Sequence, residues 1–284
     1  MTRPYAEVIG DPIAQSKSPL IHNFWLAKLG IDAEYRACHV RPEELADYFA
    51  RRRGDAQWRG CNVTIPHKIR AFACADVVEA AVREIGATNC LVPAAGGLVA
   101  ANTDIEGVAG PINLFHDHAF NFGPVKPRKV GIIGAGGAAR AAIFALKTLG
   151  WVSEWRLAVR RPEAGQALLS AFKLADCGFV TGIEDAAFEG LDILINASSL
   201  GMGDSGESGL TLSRLGDGNG QALVFDMVYF PMETGLIRAA KRQGHAVIGG
   251  LDMLIAQAGG AFQRFFGESP PRESYPDLRE LLTK

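Results

Sequence analysis

The residues of this chain that could do chemistry fall into two groups, and the first is a cluster of glycines. In Lys129-Val-Gly-Ile-Ile-Gly-Ala-Gly-Gly-Ala-Ala-Arg140 an apolar run enters Gly134, Gly136 and Gly137, then opens into Ala138 to Leu146, a stretch rich in strong helix formers. Gly134, Gly136 and Ala139 fit the spacing G-x-G-x-x-G/A. In a strand-turn-helix unit Gly134 allows the tight turn, Gly136 lets backbone approach a pyrophosphate, and Ala139 permits close helix-to-strand packing. The first helical N–H groups and the positive end of the helix dipole then face the phosphates. An ordinary structural turn would use the same glycines, so context decides. The helix closes at Leu149-Gly150, and a second apolar run, Trp155 to Val159, follows at the distance a βαβ unit requires. At the end of that second strand an acid would hold the ribose of NAD, whereas arginine accommodates the 2′-phosphate of NADP. The chain offers Arg160-Arg161, with no acid until Glu163. NADP is the expected cofactor; a solvated surface pair is the alternative.

The second group is polar and gathers where strands end. Ser16-Lys-Ser18 leads into a helix, with Ser18 read as its cap and Pro19 as its first residue. Ser16 then has no structural duty, and two hydroxyls with Lys17 at a helix N-terminus would suit a carboxylate. Asn62, Thr64 and Lys68 fall at the end of a β-prone run and in the loop beyond, where open α/β sheets hold ligands. A lysine just inside a new helix is also common solvated surface. Asn89 stands near the entry of a strand read over Gly86 to Val92, and Asp104 could merely cap the helix that starts there. Asn196-Ala197-Ser-Ser is a small-residue loop suited to lie along a cofactor, and Asp226-Met227-Val-Tyr229 ends a later strand. Gln257 interrupts an apolar helical face, as a satisfied polar group or as a ligand contact. A metal at His116 and His118 would need further ligands, and none is nearby.

The elements that must position these residues alternate. Strands are expected at Tyr5 to Gly10, Ala33 to Val40, Ala222 to Val228 and His245 to Ile248, with helices between, and Pro111 to Lys129 reads as a linker or exposed loop. The result is an α/β block, a linker, a Rossmann-type block and a C-terminal helical segment. A length of 284 residues allows one large or two modest domains. Hydrophobic content of 48%, charged content of 21% and a net charge of −2 point to neither nucleic acid nor membrane. The apolar runs are too short to span a bilayer, and Met1-Thr-Arg-Pro-Tyr lacks a signal-peptide core, so the cytoplasm is the expected location. The cysteines (Cys38, Cys61, Cys74, Cys90, Cys177) are odd in number and scattered, as small buried residues rather than metal ligands or a disulfide framework.

Together these residues resemble a family, the shikimate dehydrogenases of aromatic amino-acid biosynthesis. The resemblance rests on Ser16-Lys-Ser18, Asn62-Val-Thr-Ile-Pro-His-Lys68, Gly86-Ala-Thr-Asn89, Asn102-Thr-Asp104, the turn at Gly134, Asn196-Ala-Ser-Ser, Asp226-Met-Val-Tyr229 and Gly250-Leu-Asp-Met-Leu-Ile-Ala-Gln257, in that order. It implies an α/β fold of two domains: an N-terminal substrate domain over 1–104 completed by 251–284, and a Rossmann-type NADP domain over 105–250. The C-terminal helix would return across a hinge at Gly249-Gly250, leaving a cleft between the domains. By the same resemblance Ser16 and Ser18 would bind a substrate carboxylate, approached by Tyr229. Asn62, Thr64, Asn89, Asp104 and Gln257 would bind ring hydroxyls. Lys68 and Asp104 would be the catalytic pair, and Gly134, Gly136, Gly137, Ala138, Arg160, Arg161, Ala197, Met227 and Gly250 would hold the cofactor.

The implied reaction is reversible, NADP-dependent reduction of 3-dehydroshikimate to shikimate. A hydride reaching a ketone carbon leaves a growing alkoxide that needs a proton and a positive charge, and Lys68 could supply both. Cys90 where threonine often follows Asn89, Ala101 where a polar residue is frequent, and Val159-Arg160-Arg161 where Asn-Arg-Thr is usual depart from the family pattern. A quinate/shikimate dehydrogenase using NAD is the neighbouring reading. A dinucleotide-binding regulator that lost the reaction is a third, and it should lack Lys68 or Asp104. The expected partners are the small-molecule substrate alone, on a monomer or homodimer.

Overall fold

Tyr5–Gly10, buried along its whole length, forms the first strand (β1) of the computed structural model, which describes residues 3–118, 128–150, 152–203, 206–216 and 221–284. There follow α1 (Ser18–Leu29), β2 (Glu34–His39), α2 (Leu45–Arg53), β3 (Trp58–Val63), α3 (Lys68–Phe72), β4 (Val77–Val78), α4 (Ala80–Ile85), β5 (Cys90–Ala94) and β6 (Gly97–Ala101). The chain continues through α5 (Asp104–His118), β7 (Arg128–Ile133), α6 (Gly137–Leu149), β8 (Val152–Ala158), α7 (Pro162–Ala171) and β9 (Gly178–Thr181). It ends with β10 (Ile193–Asn196), β11 (Leu223–Asp226), α8 (Gly235–Arg242), β12 (Ala246–Ile248), α9 (Gly250–Phe266) and α10 (Tyr275–Thr283). Two compact units result: Met1–Asp104 with Ile255–Lys284, and Ile105–Leu254. No helix among the described residues is long and apolar enough to cross a membrane.

The first unit holds a mixed sheet in the order β2-β1-β3-β5-β6-β4. β1 pairs in parallel with β2 and β3, and β5 runs antiparallel to both β3 and β6. Tyr48, Phe49, Trp58, Val63 and Leu91 pack one core cluster. A second apolar contact sets Trp25 of α1 edge-on to Phe262 of α9, ring centroids 5.5 Å apart. The register Glu7↔Arg36 places a buried acid beside a cation. Glu7 accepts from Arg52 at 2.7 and 2.9 Å, from Tyr48 at 2.7 Å and from Arg36 at 3.2 Å, which satisfies a carboxylate buried inside an otherwise apolar strand.

The second unit holds a wholly parallel sheet in the order β12-β11-β10-β7-β8-β9, with both faces covered. Ile193 and Ile195 face one cluster with Leu157 and Phe225, while Leu194 and Val224 face another with Phe188 and Leu236. In α6 the buried Ala139, Ala142, Ile143 and Leu146 recur at helical spacing, and Gly150 closes the helix at φ 74°. The chain runs outward from β7 through β8 to β9, then returns to the other side of β7 for β10, which makes a topological switch point between β7 and β10.

Several expectations are corrected. The helix α1 starts one residue early, with Lys17 at the N-cap position and no side-chain cap, so Ser18 is not the cap. Instead the Ser16 hydroxyl accepts the Ser18 backbone N–H at 3.3 Å, and the structural duty falls on the serine thought free of one. The strand read from Gly86 starts at Cys90, because Gly86 caps α4 in the left-handed region at φ 65°. Pro111 does not begin a linker: α5 runs through it to His118, since burial of Val108 and Ile112 on one helical face outweighs the hydrogen bond the proline removes. Residues 119–127 and the side chains of His116 and His118, with the metal site weighed there, lie outside the described residues. Among the described residues no group of three or more His, Cys, Asp and Glu side chains could hold a metal, and none of the five cysteines is in a disulfide.

Candidate active site

In the first unit the strand pairing gathers the polar residues at one end of the sheet. Antiparallel pairing sets Asn62 near the end of β3 beside Cys90 at the start of β5, and Cys90 beside Ala101 at the end of β6. Asn89 and the segment Asn102-Thr-Asp104 thus meet. The loop between β3 and α3 is tied back by Thr64 N–H to the Ile9 carbonyl (2.9 Å) and Asp11 N–H to the Ile65 carbonyl (3.0 Å). A Cβ on Gly10 would stand 2.6 Å from the Thr64 methyl, so the end of β1 must be glycine for Thr64 to lie there. The Lys68 carbonyl accepts from Thr88 N–H at 2.9 Å, which fixes the start of α3.

Lys68 Nζ donates to Asp104 Oδ2 at 2.5 Å, with side-chain exposures of 16% and 3%. Asn89 Nδ2 donates to Asp104 Oδ1 at 2.8 Å, and it also lies 3.0 Å from Thr103 Oγ1 and 3.3 Å from Gln257 Oε1 of α9. The amide is held from behind by Thr103 N–H, which donates to Asn89 Oδ1 at 2.7 Å. Asp104 N–H donates to Asn102 Oδ1 at 3.1 Å, and Asn102 Nδ2 to the Ala87 carbonyl at 2.9 Å. Asn62 Nδ2 donates to the Asn89 carbonyl at 3.2 Å. Lys68, Asp104, Asn89, Gln257 and Asn62 therefore form one hydrogen-bonded set around a largely buried ion pair. Ser18 is buried, and Lys17 donates to the Leu282 carbonyl near the end of α10, which fastens the serine loop to the C-terminal helix.

In the second unit the register aligns Ile133, Ala158, Asn196 and Asp226 at one sheet edge. Gly134, Ala197 and Met227 follow Ile133, Asn196 and Asp226 directly, and Arg160 follows Ala158 with one residue between. Gly134 has φ 110°, and a Cβ there would stand 3.1 Å from the Ala197 carbonyl oxygen. Around Gly136 nothing lies within 4 Å of where a Cβ would be, and α6 begins at Gly137 and Ala138 with no side-chain cap. A Cβ on Gly250 would stand 2.5 Å from the Val228 carbonyl oxygen, so the first residue of α9 is held tightly against the segment after β11. Asp226 is buried, accepting from Thr234 at 2.5 Å, Asn196 at 2.9 Å and Val228 N–H at 3.0 Å, and burial raises its pKa. Arg160 is exposed. Arg161, also exposed, reaches Glu163 only at 4.0 Å. Tyr229 stands in this second unit, half-buried.

Sequence reasoning passed over Thr88, Thr103 and Tyr35. Thr88 donates to the Ala101 carbonyl at 2.6 Å and so locks the approach to β5. Thr103 sits inside a motif already singled out, and its place between two site residues was the available signal. Nothing in the sequence marks Tyr35.

A family description, the shikimate dehydrogenase substrate binding domain, matches residues 8–91. The chain is 44% identical over 280 residues to a shikimate dehydrogenase (NADP(+)) of Sphingopyxis alaskensis, covering 98% of this chain and 97% of that one. The chain belongs to the shikimate dehydrogenase family. A second relative of the same name, from Methylobacterium radiotolerans, is 39% identical over 286 residues, with 98% and 96% covered. Among solved structures, the shikimate 5-dehydrogenase of Thermus thermophilus, in complex with NADP(H) and shikimate, superposes with a TM-score of 0.82 at 30% identity, covering 98% of this chain and 99% of the other. The family's two-domain α/β, Rossmann-type fold is the one described above.

Proposed function

We propose that this chain catalyses the reversible, NADP-dependent reduction of 3-dehydroshikimate to shikimate. The observation that carries the reading is the Lys68–Asp104 pair, largely buried inside a set of directed amides. The full-length similarity to NADP-dependent shikimate dehydrogenases supports the same activity and lends nothing to the quinate and NAD alternative.

The open space at Gly136, the uncapped start of α6 and the glycine at 134 fit a dinucleotide pyrophosphate. Bound NADP(H) supplies or accepts the hydride. Gly137 and Ala138 would present N–H groups to the phosphates, Ala197, Met227 and Gly250 would flank the cofactor, and Arg160, with Arg161, would meet the 2′-phosphate. In reduction, Lys68 gives a proton from its ammonium to the carbonyl oxygen as the carbon gains the hydride. In oxidation the same nitrogen takes the hydroxyl proton back. Asp104 holds the ammonium in place and accepts from a neighbouring substrate hydroxyl. Asn62, Thr64, Asn89 and Gln257 would orient the ring hydroxyls, Ser16 and Ser18 would bind the carboxylate, and Tyr229 would approach its end.

The test is steady-state oxidation of shikimate and of quinate, each with NADP and with NAD. Shikimate with NADP is expected to lead in kcat/KM by about tenfold or more, and Lys68→Ala to lower kcat by roughly 10²–10⁴ with substrate binding largely kept. Four silent pairs, or a Lys68→Ala enzyme with unchanged turnover, would refute it.

A further inference from the structure

Tyr35 lies in β2, at the edge of the first unit's sheet, and the mechanism above does not use it. Its ring is 1% exposed and lies flat on His22 of α1, with centroids 3.9 Å apart and planes 4° apart. His22 also meets Phe262 and Phe265 of α9 at 5.8 and 6.1 Å, and neither of its ring nitrogens has a partner among the described residues. Burial drives the His22 pKa down to about 3, so the imidazole is uncharged and serves as a flat neutral wall. Set against that wall, the Tyr35 hydroxyl donates to Asn62 Oδ1 at 2.7 Å.

The direction of that bond follows from the backbone. The Asn89 carbonyl can only accept, and it already takes Val63 N–H at 2.8 Å and Asn62 Nδ2 at 3.2 Å. The Asn62 amide nitrogen therefore lies on that side, Oδ1 faces Tyr35, and the phenol must be the donor. One of the two Asn62 N–H groups is then used and the other remains for a ligand. We propose that Tyr35, wedged against His22, is a positioning residue that locks the Asn62 carboxamide so that an N–H is presented to a substrate hydroxyl oxygen. The proposal rests on the reading above that Asn62 contacts a ring hydroxyl.

Tyr35→Phe keeps the stacked ring and removes only the phenolic donor. The full chain carrying it is expected to show a KM for shikimate raised about three- to tenfold, the size of one net buried hydrogen bond, with kcat and the KM for NADP within twofold. In an Asn62→Ala background the same substitution is expected to change nothing further, because its route to the substrate is gone. A purely structural role would instead lower the melting temperature and the yield of active enzyme, with equal effect in both backgrounds. Should Tyr35→Phe fail to fold, His22→Leu removes the wall while keeping the hydroxyl, and is expected to raise KM only where Asn62 is present. An unchanged KM in Tyr35→Phe, or an equal rise in both backgrounds, overturns the proposal while Asn62→Ala still raises KM. If Asn62→Ala itself leaves KM unchanged, the reading of Asn62 falls and the proposal with it.

Discussion

Asp104→Asn is nearly isosteric, yet the network around it leaves an amide no good orientation. Asp104 Oδ2 faces the Lys68 ammonium at 2.5 Å and Oδ1 faces Asn89 Nδ2 at 2.8 Å; both neighbours can only donate there. Asn89 cannot turn to help, because its own oxygen is held by Thr103 N–H at 2.7 Å. Whichever way the new amide turns, an N–H points at another donor. The loss is one charge-assisted hydrogen bond, about 1.5–3 kcal/mol, plus a buried donor left unmade, about 1–3 kcal/mol. Lys68 retains some exposure and can recover part of its hydration, so we expect about 2–4 kcal/mol of lost stability. Asp104→Ala removes the group altogether and leaves Asn89 Nδ2 with Thr103 Oγ1 at 3.0 Å and Gln257 Oε1 at 3.3 Å. The alanine variant should therefore be at least as stable as the asparagine variant, the reverse of what shape alone suggests. Urea titrations followed by fluorescence would rank the three proteins, and shikimate oxidation with NADP should show kcat reduced roughly 10²–10⁴ in both variants. An asparagine variant within about 0.5 kcal/mol of the parent, or within about threefold of its kcat, would refute the polarity assigned to this network.

Two further outcomes follow from single residues. Arg160→Ala should raise the KM for NADP by roughly ten- to a hundredfold, the equivalent of one charge-assisted phosphate contact, while leaving NAD kinetics unchanged; equal effects on both cofactors would remove Arg160 from the 2′-phosphate. His22, buried and uncharged with its pKa lowered to about 3, binds a proton in the unfolded chain below about pH 6.5 but not in the folded one. Its contribution is fully present above pH 6.5 and is lost as pH falls, by about 1.4 kcal/mol per unit, or about 2 kcal/mol by pH 5. His22→Phe should flatten that part of a stability-against-pH curve measured by urea titration; an unchanged slope would show that another group causes it.

The glycine turn was legible because all its determinants are local: Gly134, Gly136 and Ala139 lie within one strand-turn-helix unit, and each position's backbone freedom or size can be argued from neighbours a few residues away. The closing glycine of α6 was legible for the same reason. What the residues alone could not reveal is which distant groups meet. Lys68 and Asp104 are 36 positions apart, and Asn89 and Gln257 are 168 apart, so only the antiparallel pairing of β3, β5 and β6 and the return of α9 bring them together. The resemblance to a family named these residues without supplying the geometry. The boundary errors at Ser18 and Gly86 have a common origin, since a helix end is set by backbone hydrogen bonds that admit several side chains. Pro111 misled because a proline's local cost is fixed while the burial that offsets it, at Val108 and Ile112, depends on the core beneath. Glu7 drew no notice inside an apolar run, for its cations come from β2 and α2.

The polar set of the first unit has a direction, and that direction explains why so many amides surround one ion pair. At one side the Asn89 carbonyl, bound into strand pairing, forces the Asn62 nitrogen toward it and the Tyr35 hydroxyl to donate. At the other, Thr103 N–H, equally part of the backbone, forces the Asn89 nitrogen toward Asp104. Each carboxamide, which on its own could point either way, is oriented by a main-chain group that cannot reverse. Asp104 consequently receives donors on both oxygens, and Lys68 faces an acceptor that no rotation of a neighbour can remove. The ammonium keeps further N–H groups beyond the one given to Asp104, and their aim is set by a chain of constraints that ends in strand register. A flexible lysine is thereby held at one place by Asp104, the place from which the proposed reaction would have it meet a substrate oxygen.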